Sequence, residues 1–133
     1  MKKGTIAAVV AVVVFGGMAY VSAAKTEIKP KQEEGILIGE VIDIAGYGMF
    51  GRLGKENIEA GKYRASHGFP VGILEEETGD IWIALYRLPV PAAGMQTANG
   101  VLTPHMGTKV VAQGVKYRMK GLNLIRLSLV SEY

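Results

Sequence analysis

The sequence predicts a mainly β protein, in which an N-terminal transmembrane helix precedes a small five-stranded β-barrel. An uncharged, apolar run fills residues 5–24, and five short strand-like segments follow after residue 35. Glycine and proline punctuate these segments, as is typical of a small β domain. The predicted organisation is a transmembrane signal anchor over residues 1–24, a linker over 25–35 and a β-barrel domain over 36–133.

The anchor prediction rests on the length and flanks of the apolar run. About 20 apolar residues cross a bilayer as a helix, and residues 5–24 reach that length. Lys2 and Lys3 precede the run, and positive flanks stay in the cytoplasm, so the β domain is expected outside it. A cleaved signal peptide is the alternative, because Val21-Ser22-Ala23 is similar to a small-residue cleavage site.

Two glycines lie in the middle of the predicted membrane span. Gly16 and Gly17, together with the small side chains of Ala7, Ala8 and Ala11, allow close approach of another helix. We expect the anchor to pack there against helices of a partner. Ordinary membrane glycines with no partner are the alternative.

The five predicted strands are residues 36–45, 69–74, 81–88, 108–118 and 122–133. In the first, a period of two places Ile36, Ile38, Ile42 and Ile44 on one face. The second and third form a hairpin, because turn residues occupy 78–80 between them. In the last, Ile125, Leu127 and Leu129 share a face.

The final two strands carry a resemblance. The stretch "KVVAQGVKYRMKGLNLIRLSLV" contains a glycine bend at Gly114, a tight Met-Lys-Gly turn and an alternating last strand. It resembles the last hairpin of an OB-fold, which implies a five-stranded Greek-key barrel over roughly residues 36–130. A small barrel of another Greek-key type is the alternative.

A glycine pattern follows the first strand. Gly46, Gly48 and Gly51 spell G-x-G-x-x-G, the fingerprint of a dinucleotide-binding turn. That fold requires a crossover helix packed on a parallel sheet, and residues 52–68 carry few apolar side chains for such packing. We therefore expect a glycine-rich loop with tight turns and no nucleotide cofactor.

The same region is similar to a group of small exported bacterial domains of unassigned role. That group has a cysteine before the tyrosine of "GEVIDIAGY", then a His-x-x-Cys-x-x-x-Cys motif. The corresponding positions here are Gly46, Asn57, Ala60 and Arg64. The resemblance implies a variant that lacks the Cys/His motif. The shared frame comprises Gly39, Glu40, Val41, Asp43, Tyr47, Gly54, Gly68, Pro70, Val71 and Gly72.

The composition of the chain excludes several kinds of site and makes nucleic-acid binding unexpected. The chain has no cysteine, which removes disulfides, thiolate nucleophiles and thiolate metal sites. The formal charge is +3, and 13 basic against 12 acidic residues remain after residue 24, which gives no reason to expect nucleic-acid binding. His67 and His105 are interpreted as surface or loop residues. We expect no enzyme activity, cofactor or metal.

Two segments are predicted to contact a protein partner. Residues 89–107 form a long loop that is unusually apolar, and the last hairpin is basic. The alternatives for the loop are that it plugs the barrel, and for the hairpin that its cations contact lipid headgroups or only solvate a strand edge. The predicted interface comprises Val90, Met95, Val101, Leu102, Met106, Lys116, Arg118 and Lys120.

These features favour a non-catalytic accessory subunit of a larger bacterial membrane complex. One helix would anchor it in the inner membrane, with its β domain on the periplasmic face. A respiratory or photosynthetic electron-transfer complex is a reasonable class of partner. The alternative is a signal-cleaved, soluble periplasmic module that binds a small ligand or oligosaccharide.

Overall fold

A computed structural model describes residues 28–88, 94 and 96–133. None of the helices in these ranges is long and apolar enough to cross a membrane. The predicted span over residues 5–24 lies outside the described residues. The same holds for four residues of the predicted contacts, Gly16, Gly17, Val90 and Met95.

Strands and short helices follow one another along the described residues. Their order is β1 (Lys31–Asp43), α1 (Ile44–Phe50), α2 (Ile58–Ser66), β2 (Val71–Glu75), β3 (Ile81–Leu85), α3 (Ala98–Leu102), β4 (Lys109–Met119) and β5 (Leu122–Glu132). Short 3₁₀ helices precede α2 at Gly54–Asn57 and follow α3 at Thr103–His105.

The five strands close into a barrel in the order β1-β2-β3-β5-β4, with β4 pairing back to β1. Neighbouring strands are antiparallel except β3 and β5, which run parallel with Ile83 opposite Leu124. The predicted mainly β, five-stranded barrel is thereby confirmed, and the strand order is compatible with an OB-like fold.

Strand β1 differs from its prediction in both start and orientation. It begins at Lys31, inside the segment predicted as a linker, and pairs with β4 from Arg118 onward. Leu37 and Val41 are buried in the core, whereas Ile36 is 58% exposed. Both faces of the strand are apolar, so alternation alone fits either orientation. The isoleucines that were predicted to share one face differ in environment, since Ile36 and Ile38 are exposed whereas Ile42 is buried.

Strand β5 changes face at a β-bulge. Gln113 of β4 lies opposite Leu129 and the next residue, Gly114, lies opposite Leu127, so Ser128 is an extra residue in β5. One extra residue reverses the alternation. Ile125 and Leu127 therefore enter the core, whereas Leu129, which was predicted to share their face, points outward and is 61% exposed.

The segment before β4 fills one end of the barrel. Ala98, Leu102 and Met106 are buried among the core side chains of the strands, and Thr97 caps α3 by accepting a hydrogen bond from the Gly100 amide. Leu102 and Met106 were predicted to contact a partner, and this prediction is wrong because both are fully enclosed. The alternative prediction, a loop that plugs the barrel, therefore describes residues 98–106, which we call the plug. Val101, within the plug, is half-buried.

The segment between β1 and β2 is helical, where a glycine-rich loop was expected. Helix α2 packs on the barrel through small residues, Gly61 and Ala65, which are buried. A Cβ on Gly61 would lie 2.8 Å from the Sδ atom of Met106, so the helix approaches the plug closely. The thin apolar content of this segment reflects a small contact surface rather than the absence of a helix.

Candidate functional site

The G-x-G-x-x-G stretch forms a capped helix. Helix α1 begins at Ile44, directly after β1, and the Asp43 carboxylate accepts a hydrogen bond of 2.6 Å from the Gly46 amide. The helix ends at Phe50, and its C-cap, Gly51, adopts the left-handed conformation with φ 63°. The protein's own carboxylate thus takes the position at the helix N-terminus that a phosphate would need.

Asp43 is the centre of a buried polar cluster. Its side chain is fully buried and also accepts hydrogen bonds from Asn57 Nδ2 and from Arg64, through Nε at 2.6 Å and Nη2 at 3.2 Å. Arg64 Nη2 donates to Asn57 Oδ1 at 3.1 Å as well. The end of β1, the turn before α2 and the last turn of α2 are thereby joined at one carboxylate. We call Asp43, Asn57 and Arg64 the polar cluster.

The electrostatics of the polar cluster stabilise the charged forms. Burial alone would raise the pKa of Asp43, but the hydrogen bonds from Arg64, Asn57 and the Gly46 amide outweigh it and hold that pKa below its ordinary value. The hydrogen bond to Asp43 correspondingly raises the pKa of Arg64. The cluster is therefore a buried ion pair whose members have their hydrogen bonds satisfied.

Three of the four positions that the sequence resemblance assigned to the Cys/His motif meet in this cluster. A Cβ on Gly46 would lie 2.5 Å from both Arg64 Nη2 and Asp43 Oδ2, and Asn57 and Arg64 bind Asp43 directly. Ala60 lies between them at helical spacing, on the same side of α2. A guanidinium in this centre repels cations, so these residues do not fit a metal ion.

The remaining candidate ligands do not assemble a site. No group of three or more His, Cys, Asp or Glu residues that could hold a metal occurs in the described part of the chain. His67 is exposed, stacks on Tyr63 with ring centroids 4.3 Å apart, and contacts Ser66 Oγ at 3.2 Å. These are local contacts between helix neighbours, which agrees with the interpretation of His67 as a surface residue.

Two cations of the basic hairpin make contacts within the protein. Lys116 and Arg118 lie over the buried ring of Trp82, 5.2 and 4.5 Å from its centroid. Lys116 also pairs with Glu33 at 3.5 Å, and Arg118 with Asp80 at 3.2 Å. Both were predicted as partner contacts, and sequence reasoning missed this intramolecular role. Lys120, at the turn, is exposed.

An apolar patch covers the outside of the barrel where β1, β4 and β5 adjoin. Ile36 lies opposite Gln113, which lies opposite Leu129, and Ile38 lies opposite Val111 on the same face. Ile36 and Leu129 are the most exposed members. We call Ile36, Ile38, Val111 and Leu129 the outer wall patch. Sequence reasoning missed it because it treated each strand separately, with Ile36 and Ile38 on one face of the first strand and Leu129 on one face of the last, and did not bring these residues together.

A polar groove lies further along the same strands. It has a volume of about 510 Å³ and is lined by residues of β1, β4 and β5 and by the two residues that follow β3. Its charged and aromatic side chains are Glu34, Arg87, Arg126 and Tyr86. Such a groove has the size of a small-molecule site, but its charged lining is unlike the mostly apolar lining typical of one.

The chain has no match among protein-family models, curated proteins or solved structures.

Proposed function

We propose that this protein is a non-catalytic accessory subunit of a larger bacterial membrane complex. Residues 5–24 anchor it in the inner membrane, and the barrel lies on the periplasmic face, where it covers part of a partner protein. A respiratory or photosynthetic electron-transfer complex is the proposed class of partner. The observation that carries the proposal is the outer wall patch.

The outer wall patch suits a protein contact. Two large aliphatic side chains, Ile36 and Leu129, flank the exposed Gln113 on the outer face, and Ile38 and Val111 lie on the same face of β1 and β4. Exposed apolar side chains grouped on one face of a sheet are typical of interaction sites. The bulge at Ser128 places Leu129 there instead of in the core, so the patch depends on a specific backbone feature.

The polar cluster supports a scaffold role. It joins β1, α1 and α2 through one buried carboxylate, at the positions corresponding to the Cys/His motif of the exported domains. Its three side chains bind one another, so the cluster serves to hold the fold of residues 44–70, the segment between β1 and β2 that we call the insert. The variant of the domain proposed here thus keeps the scaffold without the soft ligands.

The test is recovery of the partner from native membranes in mild detergent. Ile36→Lys combined with Leu129→Lys places two charges on the outer wall patch, and the partner should be lost. Met49→Lys is the matched control, because Met49 is 72% exposed and lies on α1. Retention of the partner by the double variant, at unchanged expression, would contradict the proposal.

A soluble periplasmic binding module is the second candidate. The groove lined by Arg87, Arg126 and Glu34 favours it for a polar ligand such as an oligosaccharide, because these side chains offer charge-assisted hydrogen bonds beside the aromatic ring of Tyr86, although the lining is more charged than that of a typical small-molecule site. N-terminal sequencing of native protein separates the candidates. A mature chain that begins at Ala24 or Lys25 would support the binding module and rule out the anchored subunit.

A further inference from the structure

The tip of the β4–β5 hairpin exposes an apolar pair. Met119 and Leu122 lie opposite each other at the strand ends and are 38% and 48% exposed. The turn between them is Lys120 and Gly121, both with positive φ, 38° and 85°. Such two-residue turns hold hairpin ends tightly. We call residues 119–122 the hairpin tip.

Cations border the hairpin tip. Lys120 projects from the turn, and Lys31, the first residue of β1, lies opposite Arg118, next to the tip. The nearby acids Glu33 and Asp80 are paired with Lys116 and Arg118. Neither Lys31 nor Lys120 has an ion pair among the described residues. The tip therefore combines two exposed apolar side chains with two available positive charges.

The chain enters the barrel at this same end. Six residues, 25–30, connect the end of the predicted membrane span to Lys31, and they reach ~20 Å at most when extended. The opposite end of β1, where α1 begins, lies about 40 Å away along the strand. An anchored chain therefore holds the hairpin tip close to the bilayer and the helical insert away from it.

We propose that the hairpin tip inserts into the interface of an anionic bilayer. Met119 and Leu122 enter the boundary between headgroups and acyl chains, and Lys31 and Lys120 contact lipid phosphates. Apolar side chains flanked by lysines are the composition that binds such interfaces, because the lysine stems lie along apolar surface while the ammonium groups stay in the headgroups. The proposal deepens the proposed function and rests on its membrane anchor.

The absence of cysteine makes a direct test possible. The full chain with Leu122→Cys carries a single thiol for an environment-sensitive fluorophore, and Met49→Cys gives the matched control at the far end of β1. Both are reconstituted into vesicles of phosphatidylcholine and phosphatidylglycerol that contain a spin-labelled lipid. We expect blue-shifted, quenched emission at position 122 and neither effect at position 49.

Charge reversal tests the role of the lysines. Lys31→Glu with Lys120→Glu should reduce quenching at position 122 by about half or more, and so should vesicles of phosphatidylcholine alone. An unchanged thermal midpoint shows that the variant is folded. Quenching that is insensitive to both changes would contradict the proposed phosphate contacts.

Two readouts separate this proposal from the proposed function. Retention of the chain on vesicles after an alkaline carbonate wash reports the anchor, and quenching at position 122 reports the tip. Loss of retention would overturn the anchored subunit. In that case, quenching at position 122 on chains adsorbed to the vesicles would still support insertion of the hairpin tip, and no quenching would overturn it. Equal quenching at positions 122 and 49, or none at 122 on retained chains, would overturn insertion of the tip.

Discussion

Asp43 and Arg64, 21 residues apart in the chain, are joined by two hydrogen bonds that fix the end of β1 to the last turn of α2. The carboxylate is fully buried and the guanidinium is mostly so. Removal of one partner therefore leaves a buried charge without compensation, which is the costly case for ion pairs.

Arg64→Ala should lower the free energy of unfolding by about 3 kcal/mol, since it strands the Asp43 carboxylate. Urea denaturation followed by the fluorescence of Trp82, the single tryptophan, measures this loss. Arg52→Ala is the control, because Arg52 is exposed on the neighbouring loop, and it should change stability by less than about 0.5 kcal/mol. Equal effects of the two substitutions would contradict a structural role for the pair.

Stability should also fall in acid. The pKa of Asp43 is lower in the folded protein than its ordinary value, so the unfolded chain binds the proton more readily. The contribution is complete above the unfolded pKa of about 3.9 and is lost as pH falls through the folded value. Asp43→Asn removes this titration, and its urea midpoint should depend less on pH in that range than that of the wild type. Parallel pH profiles would show that other carboxylates dominate.

Two glycines of one helix should respond in opposite directions to alanine. A Cβ at Gly46 would meet Arg64 and Asp43 at 2.5 Å, so Gly46→Ala should cost about 1–3 kcal/mol by overpacking. Gly48 is exposed with nothing within 4 Å, and Gly48→Ala should stabilise α1 by about 0.5–1 kcal/mol. Thermal midpoints of the two variants provide the comparison, and destabilisation by Gly48→Ala would contradict it.

The plug before β4 should contribute to the stability of the fold as the rest of the core does. Leu102→Ala removes a fully buried side chain and should cost about 2–5 kcal/mol. Leu88→Ala, at a half-exposed position after β3, is the matched control and should cost little. A small effect of Leu102→Ala on the thermal midpoint, comparable to that of Leu88→Ala, would contradict a contribution of this segment to the core.

In the membrane, Gly17→Leu should weaken association with the partner complex and leave insertion intact, because a larger side chain prevents close helix approach. Co-purification in mild detergent measures the association, and carbonate extraction measures insertion. Unchanged co-purification would indicate that the anchor only tethers the domain. Gly17 lies outside the described residues, so this prediction rests on the sequence alone.

The fold was predictable where a local pattern had one solution. The β4–β5 hairpin has clear alternation on both sides of a Lys-Gly turn, and the structure confirms it. In β1, both rows of side chains are apolar, so only the closure of the barrel decides that Leu37 rather than Ile36 faces inward. The orientation of Leu129 depends on one unpaired residue, Ser128, which no local pattern marks.

The polar cluster shows a similar limit. Asp43 was recognised as part of a shared frame, but its partners come from the turn before α2 and from the end of α2. Asp43 can pair with Arg64 only if the insert folds as helices. These helices were not predicted from the sequence, because the insert contacts the barrel through small residues such as Gly61. Helical signals depend on large apolar residues at regular spacing, whereas this helix packs through residues with little or no side chain.

The parallel contact between β3 and β5 has a consequence for biogenesis. Strand β5 bonds both β3 and β4, and the Ile83–Leu124 pairing joins residues about 40 positions apart. The barrel cannot close until residues 122–132 have left the ribosome, and for a domain that crosses a membrane, the translocation channel as well. Such long-range closure slows folding. The domain should therefore acquire its core in a late step, once the last strand is in place, which under the proposed periplasmic location would keep it competent for export during synthesis.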